Sequence, residues 1–177
     1  MAVNNWYVIT GPPSSGKSTL ITELSKLGYQ TLNESGRLLI DQELASGKTL
    51  EEIRVDSPEF EVSWIKFQQA REKTLDSNEL TFFDRGLLDC LAYFKFYNWQ
   101  VPDVMKEICN QAQYKKVFLC ELLEYEKDYA RVESAETALA MQELFGEVYR
   151  EAGYEVITLP NVSIEMRVKS ILQQVGE

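Results

Sequence analysis

Short apolar runs alternate along the chain with longer segments in which apolar residues recur every three or four positions. The first run, Trp6-Tyr7-Val8-Ile9-Thr10, is continuous and β-prone, which predicts a buried strand. Leu20, Ile21, Leu24 and Leu27 then fall at helical spacing, and Gly28 supplies a stop. Tyr29 to Leu32 reads as a second strand. A helix follows through Leu38, Leu39, Ile40 and Leu44, broken at Ser46-Gly47-Lys48. Thr49-Leu50-Glu51-Glu52 has the form of a capping box for one short helical turn. Ser57 as N-cap and Pro58 at the first position open a longer helix. The predicted face of that helix is Phe60, Trp64, Phe67, Arg71 and Leu75, apolar except for Arg71.

Asp76-Ser77-Asn78 is a turn, and Thr81 to Asp84 is an apolar strand ending in a carboxylate. An aromatic-rich helix spans Leu87 to Tyr97, and another runs from Asp103 to Gln111. Lys116 to Cys120 is the fourth strand. Glu121 to Ser134 is highly charged with no apolar face and is expected to be a loop or mobile flap. Ala138, Met141, Phe145, Val148 and Ala152 form a helical stripe closed by Gly153. Tyr154 to Leu159 is the fifth strand, and Ser163 caps a last helix to about Val175. Strands and helices alternate throughout. The expected architecture is therefore α/β in three layers, a mainly parallel five-stranded sheet with helices on both faces, in one domain over residues 1–177. Ligands bind such sheets at the carboxyl ends of the strands, where Glu34, Asp84 and Glu121 all fall.

Composition adds exclusions. The net charge of −10 leaves no basic surplus for neutralising phosphates along a nucleic acid. There is no basic leader and no apolar run of membrane-spanning length, so a soluble cytoplasmic protein without a membrane partner is expected. Cys90, Cys109 and Cys120 are isolated in sequence and histidine is absent, which disfavours a zinc site and removes every imidazole base. Acid–base chemistry must fall to Asp, Glu, Lys or Tyr.

The chemistry concentrates in Gly11-Pro12-Pro13-Ser14-Ser15-Gly16-Lys17-Ser18, a full match to the phosphate-binding pattern G-x-x-x-x-G-K-[ST], with Thr19 completing the segment. A glycine-rich turn aims backbone N–H groups at phosphate oxygens, and the following helix adds its positive end. Lys17 supplies a point charge for the β- and γ-phosphates, and the Ser18 hydroxyl is suited to Mg²⁺. The strand before and the helix after are the context this motif requires. Asp84 is the expected second element of the Mg²⁺ site, and Arg85 beside it a clamp for phosphoryl oxygens. Glu34, at the end of the second strand, is a candidate base against an acceptor hydroxyl, with Asp84 as the alternative. Arg37 and Asp89 are further candidates for binding the acceptor. Arg131 is the candidate cation of a lid over about 121–134.

These pieces together resemble the NadR-like AAA family of predicted ATPases, small phosphate-loop proteins related to a ribosylnicotinamide kinase domain. The likeness lies in Ile9 to Ser18, Glu34-Ser35-Gly36-Arg37, Gln68, Phe82-Phe83-Asp84-Arg85-Gly86, Asp89 to Tyr93, Val117-Phe118-Leu119, and Tyr125, Asp128 and Arg131. The Asp-Arg-Gly triplet also resembles the acid–arginine pair of deoxynucleoside and thymidylate kinases. The resemblance implies a kinase-like core and Mg²⁺-dependent nucleoside triphosphate binding. The expected activity is transfer of a γ-phosphate to a nucleoside-like or other small hydroxyl acceptor. A nucleotide-gated binding protein or a simple ATPase is the alternative. ATP is favoured and GTP left open, because no Asn-Lys-x-Asp guanine-reading motif is present. Acceptor identity and oligomeric state are not set by these residues.

Overall fold

A computed structural model describes residues 4–53, 57–123 and 135–176. Its elements, in chain order, are β1 (Trp6–Thr10), α1 (Lys17–Lys26), β2 (Gln30–Leu32), α2 (Ser35–Ala45), α3 (Leu50–Ile53), α4 (Pro58–Glu72) and β3 (Thr81–Asp84). There follow α5 (Asp89–Phe96), α6 (Asp103–Asn110), β4 (Lys116–Cys120), α7 (Ala135–Glu151), β5 (Val156–Leu159) and α8 (Ile164–Val175). The strands form one parallel sheet in the order β2-β3-β1-β4-β5. No helix among the described residues is long and apolar enough to cross a membrane.

β1 lies between β3 and β4 and is buried on both faces, which explains its unbroken apolar run. Its alternate side chains serve two cores. Tyr7 and Ile9 join Phe82, Phe118 and Leu159 beneath α1 and α8, packing on Leu20, Leu24 and Ile171. Trp6 and Val8 join Phe83, Val117 and Leu119 on the other face, against Ile65, Phe94, Met105 and Phe145 from α4, α5, α6 and α7. The register pairs Ile9 with Asp84 and Thr10 with Leu119, so the loops after β1, β3 and β4 emerge together at one rim.

The local signals operate as their chemistry requires. Ser57 Oγ accepts from the Phe60 N–H, Ser163 Oγ accepts from Met166 N–H, and Thr49 and Glu52 bond reciprocally across the first turn of α3. The face of α4 is the main departure. Its fully buried positions are Glu61, Trp64, Ile65, Gln68 and Glu72, whereas Phe60, Phe67 and Leu75 are only partly covered. The apolar pattern misplaced this face because three of the five buried side chains are polar. Smaller corrections concern ends: α5 begins at Asp89, not Leu87, β5 begins at Val156, and Ala152 is exposed beyond the end of α7.

Candidate functional site: a phosphate loop and an adjoining acidic, aromatic cavity

The loop between β1 and α1 is shaped by residues that tolerate unusual backbone. Gly11 has φ 141° and Gly16 φ 84°, and Ser14 at the crest is also left-handed at φ 63°. Gly11 has a second constraint, since a Cβ there would stand 2.7 Å from the Cys120 carbonyl at the end of β4. Pro12 and Ser15 are buried, while Pro13, Ser14, Ser18 and Thr19 are exposed. Lys17 is buried, and its Nζ donates to the Pro12 carbonyl at 2.7 Å. Burial, helped by the charge of Arg85, lowers the Lys17 ammonium to about 8 against the opposing pull of Asp84. A phosphate here would raise it again by favouring the charged form.

Behind the loop lies a residue that the sequence patterns did not single out. Arg167, on α8, is completely buried. Its Nε, Nη1 and Nη2 donate to the carbonyls of Pro160 (2.8 Å), Ser15 (2.6 Å) and Glu121 (2.9 Å). One guanidinium thus ties the phosphate loop to the segments that leave β4 and β5. In sequence it is a lone cation on a helix, and only the topology brings those three carbonyls to it.

Asp84 and Ser18 meet at the rim. The Ser18 hydroxyl donates to Asp84 Oδ2 at 2.8 Å, while Asp84 Oδ1 is buried and has no hydrogen-bond partner. It is the one buried side-chain oxygen or nitrogen so placed among the described residues. Burial raises the Asp84 carboxyl above its usual range, and Lys17 and Ser18 oppose the shift. A hydroxyl and an orphaned carboxylate oxygen are the hard donors that Mg²⁺ takes. No cluster of three or more His, Cys, Asp or Glu that could hold a metal occurs among the described residues. The remaining ligands of such an ion would have to come from elsewhere, as they do when Mg²⁺ keeps waters and nucleotide phosphates.

Next to the loop is a cavity of about 220 Å³, bordered by Glu34, Glu61, Arg85 and Asp89 and by the rings of Trp64 and Tyr93, among others. Arg85 is held in it from several sides. Its backbone is left-handed at φ 74° and its N–H donates to the Ile9 carbonyl. Nη1 donates to Asp89 Oδ2 at 3.1 Å, Nε lies 3.4 Å from Glu34 Oε1, and the guanidinium covers the Phe145 ring at 5.0 Å. Asp89 is buried and accepts from Thr10 Oγ1, Tyr149 Oη and Arg85, so its oxygens are taken up by protein donors. Sequence had offered it as an acceptor-binding group; its visible work is to hold Arg85.

Glu34 stands at the N-cap position of α2 without a side-chain capping bond, its side chain 42 % exposed and its charge acting on Asp84. Gln68 fixes this neighbourhood from α4. Its Nε2 donates to Glu72 (2.8 Å) and to the Arg85 carbonyl (3.4 Å), and its Oε1 accepts from Ser35. Tyr114 completes the network, donating to Glu72 at 2.7 Å. Arg37 is exposed and does not border the cavity, so geometry does not bring it to the other candidates. Arg131 and residues 124–134 of the expected lid lie outside the described residues.

The parallel sheet, the phosphate loop and the carboxylate at the end of β3 define a phosphate-loop NTPase with a kinase-like core. The chain belongs to an AAA domain family, which it matches over residues 6–167. Solved structures agree in fold across almost the whole chain. NadR protein in complex with NR superposes with a TM-score of 0.69 at 16 % identity, over 99 % of this chain and 52 % of NadR. The present chain therefore spans about half the length of NadR. Deoxyadenosine kinase from M. mycoides, in complex with dCMP and dCDP, gives 0.65 at 16 % identity, over 97 % of this chain and 98 % of the kinase. Thymidylate kinase from Ehrlichia chaffeensis gives 0.67 at 12 % identity, over 96 % and 97 %. No curated protein matches the sequence.

Proposed function

We propose that the protein binds ATP with Mg²⁺ at the phosphate loop and transfers the γ-phosphate to a hydroxyl of a small acceptor in the adjoining cavity. The observation that carries this reading is the junction itself. The same rim presents a phosphate loop, an orphaned carboxylate oxygen beside Ser18, and a cavity with Glu34 and Arg85 in its wall. A loop serving hydrolysis alone has no need of a second, ring-lined cavity at its side. The solved nucleoside and nucleotide kinases of the same fold support the assignment.

In this reading the loop amides and Lys17 hold the phosphates, and the ammonium that burial and Arg85 destabilise is one that a phosphate anion stabilises. Ser18 and Asp84 would hold Mg²⁺, which when bound supplies charge neutralisation for the transferring group. Glu34 accepts the hydroxyl proton as the acceptor oxygen bonds to the γ-phosphorus and the bond to the β,γ-bridging oxygen breaks, releasing ADP. Arg85, held by Asp89 and the Phe145 face, faces the charge that develops on the phosphoryl oxygens. Most of the rate then comes from positioning and electrostatics. Arg37 as an acceptor-binding cation and Arg131 as a lid cation are tested by Arg37→Ala and Arg131→Ala in the transfer assay.

The test is a screen for transfer of labelled γ-phosphate into a library of nucleosides and related small alcohols, with wild type and Glu34→Gln side by side. Acceptor-stimulated ADP release and a labelled product are expected. Loss of Glu34 as base should lower kcat by about 10²- to 10⁴-fold with nucleotide affinity nearly kept. Hydrolysis that no acceptor stimulates would reduce the protein to an ATPase or a nucleotide-gated binding protein.

A further inference from the structure

Glu61 is a buried carboxyl that the phosphoryl chemistry leaves unused. It sits on the inner face of α4, only 8 % exposed, and borders the cavity beside Trp64. Its carboxyl makes no hydrogen bond or ion pair among the described residues. The other buried carboxyls nearby each have a protein partner: Glu72 has Gln68 and Tyr114, Asp89 has Thr10, Tyr149 and Arg85, and Asp84 has Ser18 at Oδ2 alone. A carboxyl that borders a cavity with no protein partner among the described residues is matched when a ligand supplies one.

The walls around it are planar and apolar. Phe60, Trp64, Tyr93 and Trp99 border the same space, and Trp99 is itself fixed edge-on to Phe94 and stacked on Tyr97. Rings of this kind recognise a flat ligand by stacking and give it no polar anchor except at their edges. At about 220 Å³ the cavity is smaller than the roughly 300–1,000 Å³ usual for drug-sized ligands, so one ring with a pendant hydroxyl fits it better than a fused pair.

We propose that Glu61 is the residue that selects the acceptor, receiving a hydrogen bond from an N–H on the edge of a single-ring nitrogen heterocycle stacked among these aromatic side chains. The assignment rests on the reading of this cavity as the acceptor site. Burial raises the Glu61 carboxyl to about 8 against the opposing charge of Arg85; the raised value favours the uncharged form, whose carbonyl oxygen accepts without the cost of burying an anion. A site that reads an N–H discriminates strongly against analogues that lack it, because the polar group is then left unpaired.

The test uses pairs of single-ring ribosides that differ only in the N–H. These are uridine with N3-methyluridine, cytidine with N4,N4-dimethylcytidine, and a pyridine carboxamide riboside with its N,N-dimethyl amide. Binding is read directly by calorimetry and by the fluorescence of the wall tryptophans, and transfer separately by labelled phosphate. At least one N–H-bearing riboside is expected to bind about tenfold or more tightly than its methylated twin, the size of one buried hydrogen bond. Glu61→Leu should abolish that preference, while Glu61→Gln, which keeps a carbonyl oxygen, should retain most of it. Both variants should bind Mg²⁺-ATP as wild type does, which certifies their fold. If ribosides bind and are phosphorylated with no N–H preference, or with one that survives Glu61→Leu, Glu61 is not the selector and the kinase reading stands. If the Glu61-dependent preference is found but nothing is phosphorylated, the selector stands and the kinase reading falls. Failure of every riboside to bind overturns the proposal.

Discussion

Gly86 closes the Asp-Arg-Gly triplet, and its replacement by alanine tests the packing that holds Arg85 and Asp89 in place. A Cβ at this position would lie 2.6 Å from Tyr149 Oη, 2.8 Å from Val8 Cγ2 and 3.1 Å from Tyr114 Cε2. None of these atoms can yield cheaply. Val8 belongs to the central strand, both tyrosines are buried, and the Tyr149 hydroxyl is the 2.7 Å donor to Asp89. Overpacking of this kind costs about 1–3 kcal/mol, and displacing a hydrogen bond to a charged group adds about 1.5–3 kcal/mol. The expected loss is about 2.5–6 kcal/mol, a large part of the roughly 5–15 kcal/mol that holds a domain together. For a chain of this size that lowers the melting temperature by about 5–24 °C. Gly153 is the matched control. It is left-handed at φ 87° but faces open space, so Gly153→Ala should cost only about 1 kcal/mol from backbone strain. Urea and thermal unfolding of both variants measure the difference. Equal losses, or a Gly86→Ala loss below about 1 kcal/mol with an unchanged urea slope, would refute the argument that this glycine is required by contact with Tyr149 and Val8.

Lys17→Ala removes the cation buried in the phosphate loop and should weaken nucleotide binding by about 1.5–3 kcal/mol, measured by titrating a fluorescent nucleotide; unchanged affinity would move the phosphates elsewhere. Arg167→Lys keeps the charge but cannot span three carbonyls, so it should destabilise the fold by about 2–4 kcal/mol and loosen the loop, both visible in melting and in hydrogen exchange at residues 11–18. Burial raises Glu61 to about 8 and Glu72 to about 7, from an ordinary 4.5. The folded state therefore holds protons that the unfolded chain has released above pH 4.5, and stability contributed by these groups should fall as pH rises from about 4.5 to 8. Melting temperatures across that window should decline, and the paired variant Glu61→Gln/Glu72→Gln should flatten the decline; a wild-type curve rising through the window would contradict the sign.

The sequence by itself determined the element order, most element ends and the identity of the phosphate loop. Those are local properties: the period of apolar residues, the caps at Ser57 and Ser163, and a backbone motif whose glycines and lysine act within eight consecutive residues. It also placed Glu34 and Asp84 at one rim, because parallel strands put their carboxyl ends together whatever the side chains are. Tertiary structure alone decided which polar residues are buried. Periodicity assigned α4 an aromatic face, yet the side chains turned inward include Gln68 and Glu72, whose partners come from α2, β3's following loop and Tyr114, and Glu61, which borders the cavity. The same holds for Asp89, whose oxygens are claimed by Thr10, Arg85 and Tyr149, and for Arg167, whose three carbonyls lie up to 152 positions away. A buried polar residue looks like a surface residue in sequence. Its burial becomes affordable only through partners, or a cavity, that the fold assembles from distant segments.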